Sequence, residues 1–302
     1  MLMSIARSML IVFGRILEKV RLRGIARFFS LVGPIVLGRG ARPVECVAGF
    51  RIMADPGDYA SCMMIYGRYT PEITNLLRAL VKPNDRVIDV GAQIGFVTLH
   101  LSRLVGTGGH VYSIEPDPNA LERLKVAVTE NRLTNVSILP VAASDVSGDI
   151  SFFLSPTIGW STAASNSHFT DLTRIFVRGV PIDVMLAEGT ITGPISLVKI
   201  DAEGFECSIL DGMEILMNSY HPIIVMEVNP MMLKAAGRST ADLLSRITRH
   251  DYRVYSIHIP RRSLRNDQLE LRTVDPGDTL PFCDVLCVPP GFTLPSAGLK
   301  YS

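Results

Sequence analysis

At 302 residues, with 47% hydrophobic and 20% charged side chains, the sequence can bury one large α/β core plus a modest extension and needs no second enzyme domain. Lys and Arg number 30 against 29 Asp and Glu, so no global field draws the chain to nucleic acid or to an acidic partner. None of the 5 cysteines has a C-x-x-C spacing, which argues against zinc. Cys283 and Cys287 are four apart on an expected strand, about 13 Å and too far for a disulfide. A reducing, cytoplasmic compartment is expected.

The first 39 residues differ from the rest: Arg7, Arg15, Lys19, Arg21, Arg23, Arg27 and Arg39 face the single acid Glu18. Ile5, Met9, Val12, Phe13, Ile16 and Val20 recur at helical spacing, so an amphipathic helix is predicted with its arginines mostly off that face. The apolar run from Met9 is broken at Arg15, far short of the roughly eighteen residues that span a bilayer. No small-residue cleavage site follows, so a secretory signal fits poorly. Residues 1–40 are read as a basic helical extension and 41–302 as the catalytic domain, its core starting near residue 71. The extension either packs against its own domain or attaches reversibly to an anionic inner-membrane surface.

Val44 to Met53 reads as a hairpin closed by the turn Asp55-Pro56-Gly57-Asp58, and Thr70-Pro71-Glu72 opens a helix through Leu80. Strands are then predicted at Arg86–Asp89, His110–Ile114, Val136–Val141, Asp149–Leu154, Leu197–Ile200, Ile223–Glu227, Arg253–His258 and Cys283–Val288. Helices are predicted at Phe96–Leu104, Pro118–Asn131, Cys207–Met217 and Thr240–Arg249. This alternation indicates an α/β, doubly wound, mostly parallel sheet with helices on both faces. No internal repeat or low-complexity tract interrupts it.

Chemistry concentrates at strand ends. The first core strand ends in Asp89-Val90-Gly91-Ala92-Gln93-Ile94-Gly95 and enters a helix, which presents bare N–H groups to a small polar ligand. A dinucleotide fingerprint would place glycine at position 93. Gln93 stands there, and Asp89 would repel a pyrophosphate but suits a ligand with an ammonium group. S-adenosylmethionine is such a ligand. Glu115, closing the second strand, lies where its carboxylate can accept both ribose hydroxyls. Lys199, Asp201, Glu203 and Glu206 crowd the end of a later buried strand, a costly arrangement unless the charges are paired or used.

Taken together, Asp89–Phe96, Ile114-Glu115-Pro116, Val198-Lys199-Ile200-Asp201-Ala202-Glu203-Gly204-Phe205-Glu206 and Val225-Met226-Glu227 resemble the successive motifs of FkbM-type methyltransferases, from about Phe50 to Cys287. The resemblance departs at Gln93, where Asn is more frequent, and at Ala202, where Val is. It implies a class I, Rossmann-like methyltransferase sheet of seven strands with the last antiparallel, S-adenosyl-L-methionine as cofactor, and O-methylation of a hydroxyl on a small molecule or glycan. It further implies that Ala142 and Asp117 frame the adenine and that Glu72 meets the cofactor's amino group. A solvated first-turn glutamate explains Glu72 equally well.

For a hydroxyl acceptor the protein must align the oxygen, exclude water and remove a proton. Asp201 is the first candidate base, with Glu203 and Glu227 as base or acceptor-orienting groups. His168 is a further candidate, in a loop with Trp160 that equally reads as plain surface. Lys199 either neutralises the acids or polarises a substrate oxygen, and Glu206 is read as charging the first turn of the next helix. The Asp201 and Glu203 pair could hold a divalent ion, but no dense ligand set is visible, so no metal is assigned. The alternatives are a nicotinamide-dependent oxidoreductase, disfavoured by Gln93, and a catalytically silent cofactor-binding protein. No Asn/Asp-Pro-Pro-aromatic motif follows the fourth strand, which argues against methylation of nucleic-acid bases.

Overall fold

The computed structural model describes residues 2–17, 24–155, 161–163, 171–259, 269–295 and 299–301, and of residues 2–8, 17 and 299–301 the backbone only. Helices α1 (Leu2–Leu17) and α2 (Ile25–Leu37) precede an antiparallel hairpin of β1 (Arg42–Glu45) and β2 (Arg51–Ala54). The turn after it leads into α3 (Tyr59–Ile65), where Asp58 accepts the Ser61 N–H, and then into α4 (Pro71–Leu80), which starts on its proline.

The core alternates β3 (Arg86–Val90), α5 (Phe96–Val105), β4 (His110–Ile114), α6 (Pro118–Glu130) and β5 (Val136–Leu139). A small sheet follows, made of β6 (Ala142–Ala143), β7 (Gly148–Leu154) and β8 (Thr173–Val180), and then α7 (Ile182–Ala187). The second half contains β9 (Leu197–Ile200), α8 (Glu206–Asp211), α9 (Glu214–Tyr220), β10 (Ile223–Val228), α10 (Pro230–Ala235) and α11 (Thr240–Thr248). The chain closes with β11 (Arg253–His258), β12 (Leu269–Val274), β13 (Cys283–Val288) and β14 (Leu299–Tyr301).

The main sheet runs β14-β12-β11-β13-β10-β9-β3-β4-β5. β5, β4, β3, β9 and β10 are mutually parallel, and β13 is antiparallel to both its neighbours. The seven strands from β5 to β11 are the expected class I methyltransferase sheet, and β12 and β14 extend it at the β11 edge. Alternate strand residues feed two separate cores: Val87, Val111, Leu197 and Val225 on one face, Ile88, Tyr112, Val198 and Ile224 on the other. Because β3 leads outward to β4 and β5 while β9 returns on its other side, the strand order reverses between β3 and β9. Ligands of open α/β sheets bind at that crevice.

Two expectations are corrected. The strand at Asp149–Leu154 does not join the main sheet but pairs with β8, Gly148 opposite Gly179. A strand's own sequence does not announce which sheet it joins. The helix expected over Cys207–Met217 is two helices, the second started from outside by Asp183, which accepts the N–H groups of Ile215 and Leu216 at 2.8 and 2.9 Å. In α1 the apolar stripe seen in the sequence points away from the domain: Met9, Val12, Phe13 and Ile16 are exposed, while Leu10 and Gly14 are buried.

Candidate active site

At the switch point, outside the C-terminal ends of β3, β4, β9 and β10, lies a cavity of about 480 Å³. This is the size of a nucleoside-bearing ligand site. Its geometry depends on Gly91, whose φ is 72° and where an added Cβ would stand 1.8 Å from the Asp201 carbonyl oxygen. Only glycine lets the turn after β3 cross so close to the end of β9. Val90, Gly91, Ala92 and Gln93 then line one wall, with Glu115, Pro116, Asp117 and Ala142 beside them.

Glu115 is buried at the end of β4, where its two carboxylate oxygens accept the N–H groups of Gln93 at 2.7 Å and Asp117 at 2.8 Å. Burial pushes its carboxyl up to about 7, against those two hydrogen bonds. Each oxygen keeps lone-pair capacity toward the cavity, so the residue fits a ribose diol. Asp117 divides its work: Oδ1 accepts the Asn119 and Ala120 N–H groups and caps α6, and Oδ2 accepts the Ser161 hydroxyl at 2.7 Å. That last bond ties the chain beyond β7 over the rim. The cavity size, the Gly91 turn and the Glu115 carboxylate together fit an adenosyl amino acid.

The opposite wall is acidic. Asp201, Glu203 and Glu227 offer carboxylate oxygens all within 4.8 Å of one another, a spacing that could also accept a hard divalent cation. All three were candidates in the sequence, and the fold brings Glu227 from β10 to the other two. Burial, then Asp201, raises the Glu203 carboxyl to about 8, and the same causes in the same order raise Glu227. Burial, Glu72 and Asp201 raise Asp284 to about 8. Glu203 sits at φ 49°, and its turn is held by Glu206, whose carboxylate accepts the Ala202 and Gly204 N–H groups at 3.3 and 3.0 Å. Glu206 therefore folds back onto the turn that presents Asp201 and Glu203, beyond its expected part in the first turn of α8.

Lys199 is the counterweight. Its Nζ lies 3.5 Å from both Asp89 and Asp201 and donates to the carbonyls of Val90 and Gly91 at 3.3 and 3.1 Å. Burial opposes its charge, but Asp201 and Asp89 outweigh it and hold the ammonium above its ordinary value. Of the two readings of Lys199, the contacts favour neutralisation.

Asp89 is corrected. It is fully buried beneath the cavity wall, where Oδ2 accepts the Thr98 hydroxyl at 2.7 Å, and it does not reach the lining. An acid inside the strand, one position before the residues that turn outward, ends on the core side of the pleat. Gly95 also stays off the lining: its φ of 92° ends the turn and it packs on Leu124. Glu72 stands near Asp284 rather than on the lining. His168 and Trp160 lie outside the described residues. Sequence reasoning missed Tyr69, on the loop before α4, which lines the cavity facing Asp201, Glu227 and Glu203 and whose hydroxyl pKa is pushed up by burial and by those acids. A lone tyrosine in a loop carries no pattern that would have marked it.

The family model for the methyltransferase FkbM domain matches residues 89–254, more than half of the chain. The chain belongs to the FkbM methyltransferase family. It is 30% identical over 158 residues, 51% of this chain and 60% of the relative, to the hexuronic acid methyltransferase AglP of Haloferax volcanii. A probable cobalt-precorrin-6B C(15)-methyltransferase of Sulfolobus acidocaldarius is 27% identical over 149 residues, 47% of this chain and 78% of that one. The solved FkbM methyltransferase of Methylobacillus flagellatus aligns with a TM-score of 0.43 at 17% identity, covering 76% of this chain and 54% of that one. The chain thus spans about 60% of AglP and about half of that solved protein.

Proposed function

We propose that this FkbM methyltransferase methylates a hydroxyl of a glycan or small polyhydroxylated molecule, with Asp201 as the base. The observation that carries this reading is the convergence of Asp201, Glu203 and Glu227 within 4.8 Å at the end of the cavity away from Glu115. When bound, the cofactor supplies a methyl group already activated on a cationic sulfur, so the residues need only bind, align and deprotonate. Gly91, Ala92, Gln93, Glu115, Pro116, Asp117 and Ala142 would hold its nucleoside and amino-acid parts, and Asp201 would lie toward its methyl end.

The acidic wall suits an acceptor that donates several hydrogen bonds, as vicinal sugar hydroxyls do. Lys199 places a positive charge 3.5 Å from Asp201, while Glu203 and Glu227, raised by burial and by Asp201, orient acceptor oxygens. The 30% identity to a hexuronic acid methyltransferase supports a sugar acceptor.

The test is a methyl-transfer assay over neutral sugars, uronic acids and polyketide alcohols, with the wild type and Asp201→Asn. Product carrying an O-methyl ether on a hydroxyl is expected, and Asp201→Asn should lower kcat by about 10²- to 10⁴-fold with affinity for S-adenosylhomocysteine nearly unchanged. Methyl esters alone, or an active Asp201→Asn, would overturn the assignment.

A further inference from the structure

Helices α1 and α2 each carry two apolar faces, and the domain uses one of them. The inner faces are Leu10 and Gly14 on α1 and Phe29, Gly33 and Leu37 on α2, all buried, with Phe29 stacked on Tyr66 at 4.2 Å between ring centroids. The outer faces are Met9, Val12, Phe13 and Ile16 on α1 and Phe28, Leu31 and Ile35 on α2, at helical spacing in both cases. Met9, Ile16, Leu31 and Ile35 are 67% to 74% exposed. The two outer stripes are one surface, because the Phe13 and Phe28 rings meet edge to face at 6.0 Å. An exposed apolar patch of this kind marks an interaction site.

Charge identifies the occupant. Neither helix contains an aspartate or glutamate. Arg27 stands one turn before Leu31 on the same ridge and Arg39 follows α2, both exposed. Arg15 fixes α1 in place by pairing with Glu45 at 3.0 Å and donating to the Val47 carbonyl at 3.2 Å. Residues 1–39 hold seven basic residues against one acid, in a chain whose net charge is +1. A second copy docking face to face would set these positive segments against each other. An anionic bilayer accepts both features at once, the apolar stripe entering the acyl boundary and the arginines meeting the headgroups.

We propose that α1 and α2 together form an interfacial anchor that seats the enzyme reversibly on an anionic lipid bilayer. No described helix is long and apolar enough to cross one, so attachment is to one leaflet. The proposal is independent of which acceptor the cavity takes.

The test is flotation of the full chain with vesicles of phosphatidylglycerol and phosphatidylcholine, against vesicles of phosphatidylcholine alone. Wild type should float with the anionic vesicles about ten-fold more than with the neutral ones, and high salt should release part of it. The triple variant Ile16→Glu, Leu31→Glu, Ile35→Glu should lose flotation by about ten-fold while keeping wild-type affinity for S-adenosylhomocysteine, which shows that it is folded. Equal flotation of variant and wild type, no preference for anionic vesicles, or a wild-type dimer in light scattering that the triple variant makes monomeric would each overturn it.

Discussion

The floor of the cavity and the N-terminal helices invert the usual distribution of side chains in opposite directions. Beneath the cavity Asp89, Lys199, Glu115 and Glu206 are buried, whereas on α1 and α2 Met9, Ile16, Leu31 and Ile35 face outward. Charges are almost never fully buried unless paired, and large apolar side chains are clustered on surfaces only where something covers them. In the first region the compensation is internal: Lys199 faces two acids and two carbonyls, and Glu115 and Glu206 each take two backbone N–H groups. In the second, nothing within the described chain offsets the exposure. The fold itself compensates the buried charges of the cavity, whereas it leaves the outer face of α1 and α2 exposed.

The largest test breaks the internal compensation. Lys199→Met should leave Asp89 charged and buried without its cation, at a cost of about 3 to 5 kcal/mol in urea unfolding. Adding Asp89→Asn to that variant should restore part of the loss, because the uncompensated charge is gone. If Lys199→Met unfolds like wild type, the pair contributes nothing and the cavity floor is held by packing alone.

Next in size is Glu115→Ala, which removes a buried carboxylate that lines the cavity and frees the Gln93 and Asp117 N–H groups. Affinity for S-adenosylhomocysteine should fall by about 1 to 3 kcal/mol in calorimetry, while NAD should bind neither protein. Unchanged affinity would remove Glu115 from the cofactor wall.

How far these regions could be read from sequence follows the range of the interactions. The turn after β3 and the acid that ends β4 were legible because Asp89–Gly95 and Glu115 are short motifs at the ends of consecutive parallel strands, where spacing along the chain becomes spacing in the sheet. Asp201, Glu203 and Glu227 were legible for the same reason, since β9 and β10 are neighbours. What the spacing hid was direction: Asp89 lies in the core because the turn outward begins one residue later. Tyr69 and Asp284 reach the acids from α4's approach and from β13, contacts set by tertiary packing with no local pattern. In α1 the helical period was legible but its rotation was not. Leu10 and Gly14 face the domain, and the stripe Met9, Val12, Phe13 and Ile16 stays outside.

A smaller effect reports the acidic wall through pH. The folded carboxyls of Glu203 at about 8, Asp284 at about 8 and Glu115 at about 7 lie above the ordinary carboxylate range. Each binds a proton in the native state that the unfolded chain has already released. Their contribution is therefore fully present below the ordinary carboxylate range and lost as pH rises through about 7 to 8. Urea unfolding of the cofactor-free protein should show stability falling from pH 5 to 8, and Glu203→Gln should flatten that slope by on the order of 1 kcal/mol. A slope of the opposite sign would mean that the acids are ionised and paired.

The smallest expected change carries the other half of the comparison. Leu31 and Phe29 are two residues apart on α2, yet one is 70% exposed and the other 0%. Leu31→Ser in free solution should shift the unfolding free energy by no more than about 0.5 kcal/mol, since surface substitutions rarely do more. Phe29→Ala, which empties the stack on Tyr66, should cost about 3 to 5 kcal/mol. With anionic vesicles present the order of importance should change: Leu31→Ser should weaken binding measurably because its side chain is then the one that leaves water. A Leu31→Ser protein destabilised in solution as strongly as Phe29→Ala would show that the outer stripe is already covered by the chain itself, and the contrast between the two regions would be lost.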